Sequence, residues 1–194
     1  MLSETDRETL AQPGFVMSTE RSGSNLLRLI LNAHPDVSAP HPFETSFPDE
    51  GILNNALTGP GRNRIIRDIL VWKRHSHHPF NRPLGISAVL DRLDSGPPLD
   101  ESLLALQRAL YGEYTAQAGT SLWISKDPGV FEYADRAIDH YSPMPRFVYL
   151  VRDPRDVALS FKRSDVAGIH HPYYAAQRWQ QEQLTGINLL ETVG

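Results

Sequence analysis

The sequence predicts a single three-layer α/β domain over residues 1–194, a parallel sheet with helices on both faces. Three observations carry this. Short apolar runs, FVM at 15–17, LWIS at 122–125 and FVYLV at 147–151, alternate with segments of helical periodicity. Each run ends in a polar or charged bend: STERSGSN, SKDPG and RDPRD. The first bend opens directly into an apolar helical pattern, LLRLILNA. Strand–helix alternation is the pattern of a parallel sheet, in which connections cross over and helices cover the faces. The C-terminal ends of parallel strands lie on one edge, where ligands bind. Arg21, Lys126 and Arg152 follow those three ends, so they are expected to converge.

Taken in order, residues 1–13 are expected as a short helix or a disordered arm. Phe15–Ser18 is a buried strand, and the helix after it starts within Ser22–Asn25. Leu26, Leu27, Ile30 and Leu31 recur at helical spacing and mark its apolar stripe. Pro35 ends it, because proline disfavours helix in the residue before it. Val37–Ala39 is a second strand, and Pro40, Pro42 and Pro48 force an irregular loop that carries Glu44. Arg64–Lys73 is an amphipathic helix, RHSHHPFNRPLG a loop, and Ile86–Leu93 a short helix. Asp100 is positioned to cap a helix over 101–118. Leu122–Ser125 is the third strand, followed by a helix from Phe131 to His140. Phe147–Val151 is the strongest strand signal, five apolar residues rich in β-formers. Pro154 suits the first turn of the next helix. Tyr173–Glu191 is the last helix, and Trp179, which shares it with Tyr173, Tyr174 and Leu184, is assigned to the core.

Composition excludes several function classes. The formal net charge is −4, so an anion site must be a local basic cluster rather than a property of the whole field. Nucleic-acid binding is not expected, since basic and aromatic residues do not interleave. There is no cysteine, which removes disulfides, thiolate nucleophiles and Cys-type zinc sites together. His75, His77 and His78 lie in a loop without the spacing of a zinc motif, so no metal site is expected. No apolar run approaches the roughly 20 residues that span a bilayer, and the acidic start MLSETDRETLAQPG is not a signal peptide. A cytoplasmic protein without membrane contact is the expectation.

The first bend is the chemical centre of the chain. A strand, a glycine-containing bend and a helix present backbone N–H groups and a helix N-terminus to an anion. The pattern is not a Walker A loop, which needs Lys after its second Gly. Here Gly23 is followed by Ser24 and Asn25, and the basic residue, Arg21, precedes the glycine. A nucleoside or sugar kinase would therefore lack its usual phosphate lysine.

With the later motifs added, FVMSTERSGSNLLRLILNAHPDVSA resembles the 5′-phosphosulfate loop and helix of the sulfotransferases, which use 3′-phosphoadenosine 5′-phosphosulfate as donor. FVYLVRDPRDVALSFKR resembles their 3′-phosphate segment, with Arg152 and Ser160 at the family's eight-residue separation. SKDPG and His34-Pro35-Asp36 resemble the tyrosylprotein and related bacterial branch. The matches cover 15–45 and 122–180, and residues 50–120 are left as a helical region on the acceptor side. The resemblance implies a P-loop-like fold and sulfonate transfer to a hydroxyl on a small molecule, a sugar or a tyrosine. It implies that Arg21 holds the 5′-phosphate and bridging oxygen and that Lys126 approaches the sulfonate. The backbone of Ser22, Gly23, Ser24 and Asn25 would cradle the phosphate, and Arg152 with Ser160 would hold the 3′-phosphate. Such a reaction needs no metal if protein cations absorb the charge on the leaving phosphate.

Glu44 is the expected base that takes the acceptor's proton. It resembles the glutamate base of that branch. His41 is its rival, because an unperturbed imidazole titrates near neutrality. A catalytically silent nucleotide-binding or interaction protein on the same fold is the second reading. It is motivated by the chain's end at LLETVG, where family members continue into another core strand. The same observation predicts an open side on the first strand, and hence self-association into homo-oligomers.

Overall fold

The computed structural model describes residues 12–43, 50–96, 102–164 and 169–193. A four-stranded parallel sheet is built from β1 (Gln12–Met17), β2 (Val37–Ser38), β3 (Leu122–Ser125) and β4 (Arg146–Tyr149). Its order is β2-β3-β1-β4. Among the described residues the helices are α1 (Ser24–Asn32), α2 (Glu50–Thr58), α3 (Arg62–His75), α4 (Ile86–Ser95), α5 (Ser102–Ala118), α6 (Ala134–His140), α7 (Pro154–Lys162) and α8 (Pro172–Val193). A 3₁₀ turn, Pro128–Glu132, precedes α6 where one continuous helix was expected. The Asp127 carboxylate caps that turn by accepting the Gly129 N–H at 2.9 Å. Pro128 and Gly129 suit a tight turn better than an α-helix start.

Alternation along β1 divides the core. Phe15 and Met17 face one side, and Val16 faces the other. On the first side, Phe15 is fully buried and meets Trp123 edge-on at 5.6 Å and Phe147 in a stack at 5.7 Å. Trp123 in turn stacks on Tyr111 of α5 at 4.9 Å. On the other side, Val16, Ala39 and Ile124 pack against Leu27 and Leu31 of α1. Helices therefore cover both faces, as the sequence predicts. Tyr149 of β4 packs on α8 at Gly186, where an added Cβ would lie 2.6 Å from the ring. Glycine is required there by close approach.

Some expectations are corrected. β1 begins at Gln12, so Gln12 and Pro13 belong to the sheet rather than to an arm. β1 has no open side: it pairs with β3 along Gln12–Phe15 and with β4 along Gly14–Met17. The side reserved for a lost strand is taken by β4, and strand order is not encoded in periodicity. In α1, Leu26, Leu29 and Ile30 are exposed, whereas Ser24 and Arg28 are buried. Residues 24, 27, 28 and 31 form the arc that faces the sheet, so apolar spacing identified only half of it. β4 is an edge strand ending at Tyr149, and Val148 and Val151 are exposed. In α8, Trp179 packs on Val157, Phe161 and Ala175 as expected, while Tyr173, Tyr174 and Leu184 are exposed. Asp100 lies outside the described residues. No helix among them is long and apolar enough to cross a membrane.

Candidate active site

The ends of β1, β3 and β4 do converge. A cavity of about 540 Å³ is lined by Arg21, Gly23, Ser24, Asn25, Lys126, Arg152 and Ser160, together with Glu20, His41 and His78. The loop after β1 is shaped by two left-handed residues, Arg21 at φ 70° and Gly23 at φ 93°. Glycine adopts that region freely, but an arginine held there is uncommon and marks a constrained loop. Gly23 caps α1 with no side-chain hydrogen bond, and the first helical bond runs from Leu27 N–H to the Gly23 carbonyl. The N–H groups of Ser24, Asn25 and Leu26 consequently have no partner within the helix. Ser22 is placed differently from expectation. Its N–H donates to the Thr19 carbonyl at 3.2 Å, so it is already used in the turn. Its hydroxyl oxygen is buried without a hydrogen-bond partner.

The basic residues are cross-linked. Arg21 Nε donates to Ser160 Oγ at 3.1 Å, and an Arg152 guanidinium nitrogen donates to the Arg21 carbonyl at 2.9 Å. The Arg152 carbonyl accepts from Trp179 Nε1 at 3.0 Å, which ties the end of β4 to α8. Arg155, by contrast, is folded back on Asp153 and is largely exposed. This pair holds the Asp153 carboxyl at about 2, well below its ordinary value, through the Arg155 hydrogen bonds. Lys126 follows Ser125 and precedes Asp127, both buried. Asp127 also accepts from Tyr133 Oη at 3.1 Å, so β3 ends on a fixed point and delivers Lys126 to the cavity.

Glu44 lies outside the described residues. The segment leading to it is held at Ala39, Pro42 and Phe43 by polar side chains. Arg28 donates to the Ala39 carbonyl at 2.8 Å and to Asn25 Oδ1 at 3.0 Å. Asn32 Oδ1 accepts the Ala39 N–H at 2.8 Å. Lys73 donates to the Pro42 carbonyl at 2.5 Å, and Tyr111 Oη accepts the Phe43 N–H at 2.9 Å while bonding Ser125 Oγ at 3.1 Å. Breaking any one of these leaves a buried group unpaired, at about 1–3 kcal/mol. Sequence reasoning missed Arg28, Asn32, Lys73 and Tyr111. The available signal was an arginine or lysine at a core-facing helical position, such as Lys73 in register with Ile66 and Ile69.

His41, the rival base, lines the cavity. Its ring stacks on His78 at 4.6 Å, and Nε2 lies 3.4 Å from an Arg28 nitrogen. Desolvation first, then the charges of Arg28, His78, Lys73 and Lys126, push its pKa down to about 4. A base that weak is mismatched to neutral operation. The consequence for stability has a defined sign. The unfolded imidazole takes a proton near 6.5 and the folded one only near 4, so the unfolded chain binds more protons between those values. Stability is full above about 6.5 and is lost as pH falls toward 4. We expect the melting temperature to decline across that window, and His41→Asn to flatten the decline. A decline of equal steepness in the variant would assign it to other groups.

The sulfotransferase family profile matches residues 13–190. The chain belongs to the sulfotransferase family. The sulfotransferase domain of the Synechococcus PCC 7002 olefin synthase has a similar structure, with a TM-score of 0.57 at 22% identity. The alignment covers 95% of this chain and 63% of that one, and at this identity it shows the fold alone. No curated protein matches the chain. Among the described residues, no group of three or more His, Asp or Glu is arranged to hold a metal.

Proposed function

We propose that this sulfotransferase moves a sulfonate group from 3′-phosphoadenosine 5′-phosphosulfate to an acceptor hydroxyl. The observation that carries this reading is the meeting of Arg21, Lys126, Arg152 and Ser160, from three separate strand ends, around one cavity. The donor fits what lines it. Uncapped amides at the start of α1 suit one phosphate, and the Arg152–Ser160 region suits a second. When bound, the donor supplies sulfur that bonds to the acceptor oxygen as its bond to the bridging oxygen breaks, releasing 3′-phosphoadenosine 5′-phosphate. Arg21 and Lys126 stabilise the charge that develops on the bridging and sulfonate oxygens. Gly23–Asn25 hold the 5′-phosphate, and Arg152 with Ser160 recognise the 3′-phosphate. Glu44, which follows the segment held by Arg28, Lys73 and Tyr111, is assigned as the base that takes the acceptor's proton, on its resemblance to the glutamate base of the tyrosylprotein and bacterial branch.

Cationic side chains in a preorganised site make a divalent metal unnecessary. Incubation with radiolabelled donor and a panel of alcohols, in EDTA, is expected to give labelled product at the same rate as with magnesium. Turnover abolished by EDTA and restored by magnesium would contradict the mechanism.

A further inference from the structure

Beside the donor cavity, on the other side of the Pro42 and His78–Phe80 segments, lies a second groove of about 380 Å³. It is formed where the 76–85 loop folds over α3. Its floor is apolar, with Leu70, Phe80 and Leu84 packed on the main core. Its rim carries Arg67, Arg74 and Arg82, and no carboxylate among the described residues lines it. Arg67 and Arg74 are seven residues apart on α3, hence on one face.

The charge pattern separates these arginines from their neighbours. Arg62 is paired with Asp94 at 2.6 Å, Arg64 with Asp68 at 3.8 Å and Arg92 with Glu113 at 3.0 Å. Among the described residues, no carboxylate pairs with Arg67, Arg74 or Arg82, and Arg82 reaches only the Gln117 carbonyl at 3.3 Å. Three like charges gathered without counter-charge around an apolar concavity repel one another, and an oxyanion between them relieves that repulsion. A solvated helix face would show neither the concavity nor the selective lack of carboxylates.

The two cavities share a wall. Buried Lys73 lines the groove and bonds the Pro42 carbonyl, and Pro42 lines the donor cavity. Pro79 and Phe80 line the groove, while His78 lines the donor cavity.

We infer that this groove binds the acceptor by an anionic head group, so that the acceptor is an amphipathic alcohol: a carboxylate or phosphate, an apolar stretch, and a hydroxyl that reaches past His78 to Lys126. The assignment of the bound molecule as acceptor rests on the sulfotransfer reading above. The oxyanion sits among the three guanidinium groups, whose forked donors match carboxylate and phosphate geometry. The apolar stretch covers Leu70 and Phe80.

Two measurements test this separately from the transferase reading. In calorimetry without donor, octanoate and octyl phosphate are each compared with uncharged methyl octanoate. A charged probe is expected to bind at least about tenfold more tightly than the ester, the size of one charge-assisted hydrogen bond. The preference should shrink as salt is raised. Whichever charged probe binds more tightly identifies the head group. The variants Arg67→Ser with Arg74→Ser, and Arg82→Ser alone, should lose the preference. Arg64→Ser, outside the groove and paired with Asp68, should keep it. Equal binding of charged and neutral probes, no binding of any probe, or equal loss in Arg64→Ser overturns the proposal. In the second measurement, ω-hydroxyoctanoate and its methyl ester are compared as acceptors with labelled donor. A kcat/KM favouring the acid at least about tenfold in the parent, and equal for both in the groove variants, supports the acceptor role. Equal use of acid and ester by the parent refutes that role. Absence of transfer to every alcohol refutes the transferase reading instead, and the calorimetry still decides the groove.

Discussion

Replacing Arg21 by alanine is expected to lower turnover by about 10³-fold, the scale set by loss of a cation or donor aimed at developing charge. Arg21 is the residue on which the other cavity groups are assembled. Its side chain reaches Ser160, and its carbonyl receives Arg152. The carbonyl remains in the alanine variant, so the Arg152 contact and the loop backbone should persist and stability should change little. The loss should therefore fall mainly on kcat, with a smaller loss of donor affinity. Steady-state kinetics and thermal melting on the same preparation check this. Turnover within tenfold of the parent would remove Arg21 from the chemistry.

The second large effect separates the two candidate bases. Glu44→Gln is expected to reduce kcat by about 10²–10⁴-fold, the usual worth of a positioned general base. Binding of 3′-phosphoadenosine 5′-phosphate should be unchanged, because the base acts only on the acceptor. His41→Asn should leave kcat within a few-fold of the parent. Burial and the neighbouring cations hold its imidazole at about 4, and its Nε2 lies 3.4 Å from an Arg28 nitrogen. The reverse pattern, a silent Glu44→Gln and a dead His41→Asn, would transfer the base to the imidazole despite its low pKa.

Much of the site was legible because its chemistry is local in sequence. The Arg21–Asn25 bend, Lys126 and the Arg152–Ser160 pair each sit at a strand-to-helix junction, and parallel strands bring such junctions to one edge whatever their order. The strand order itself was not legible. Periodicity reports which residues face a core, not which strand neighbours which, and the side of β1 expected to be open is filled by β4. The apolar residues of α1 also misled. Leu26, Leu29 and Ile30 carry the same hydropathy as Leu27 and Leu31, yet the face on the sheet includes Arg28, which hydropathy assigns to water. Burial of Arg28 is stabilised by Asn25 within α1 and by the Ala39 carbonyl, a contact that exists only once the 39–43 segment folds back on the helix. The same holds for Lys73, whose partner is 31 residues away. Side chains that position a loop through long-range bonds leave little trace in local pattern. The groove between α3 and the 76–85 loop was not legible in the sequence, because the ion pairs that divide the arginines of α3 into neutralised and unneutralised sets form only in the fold.

The central claim is that the cavity recognises two phosphates, the second through Arg152 and Ser160. Calorimetric titration of the full chain with 3′-phosphoadenosine 5′-phosphate and with adenosine 5′-phosphate tests it most directly. Charge-assisted hydrogen bonds to the 3′-phosphate should make the first ligand bind at least about tenfold more tightly, and Arg152→Ala should remove that advantage. Equal affinity for the two nucleotides would contradict the account.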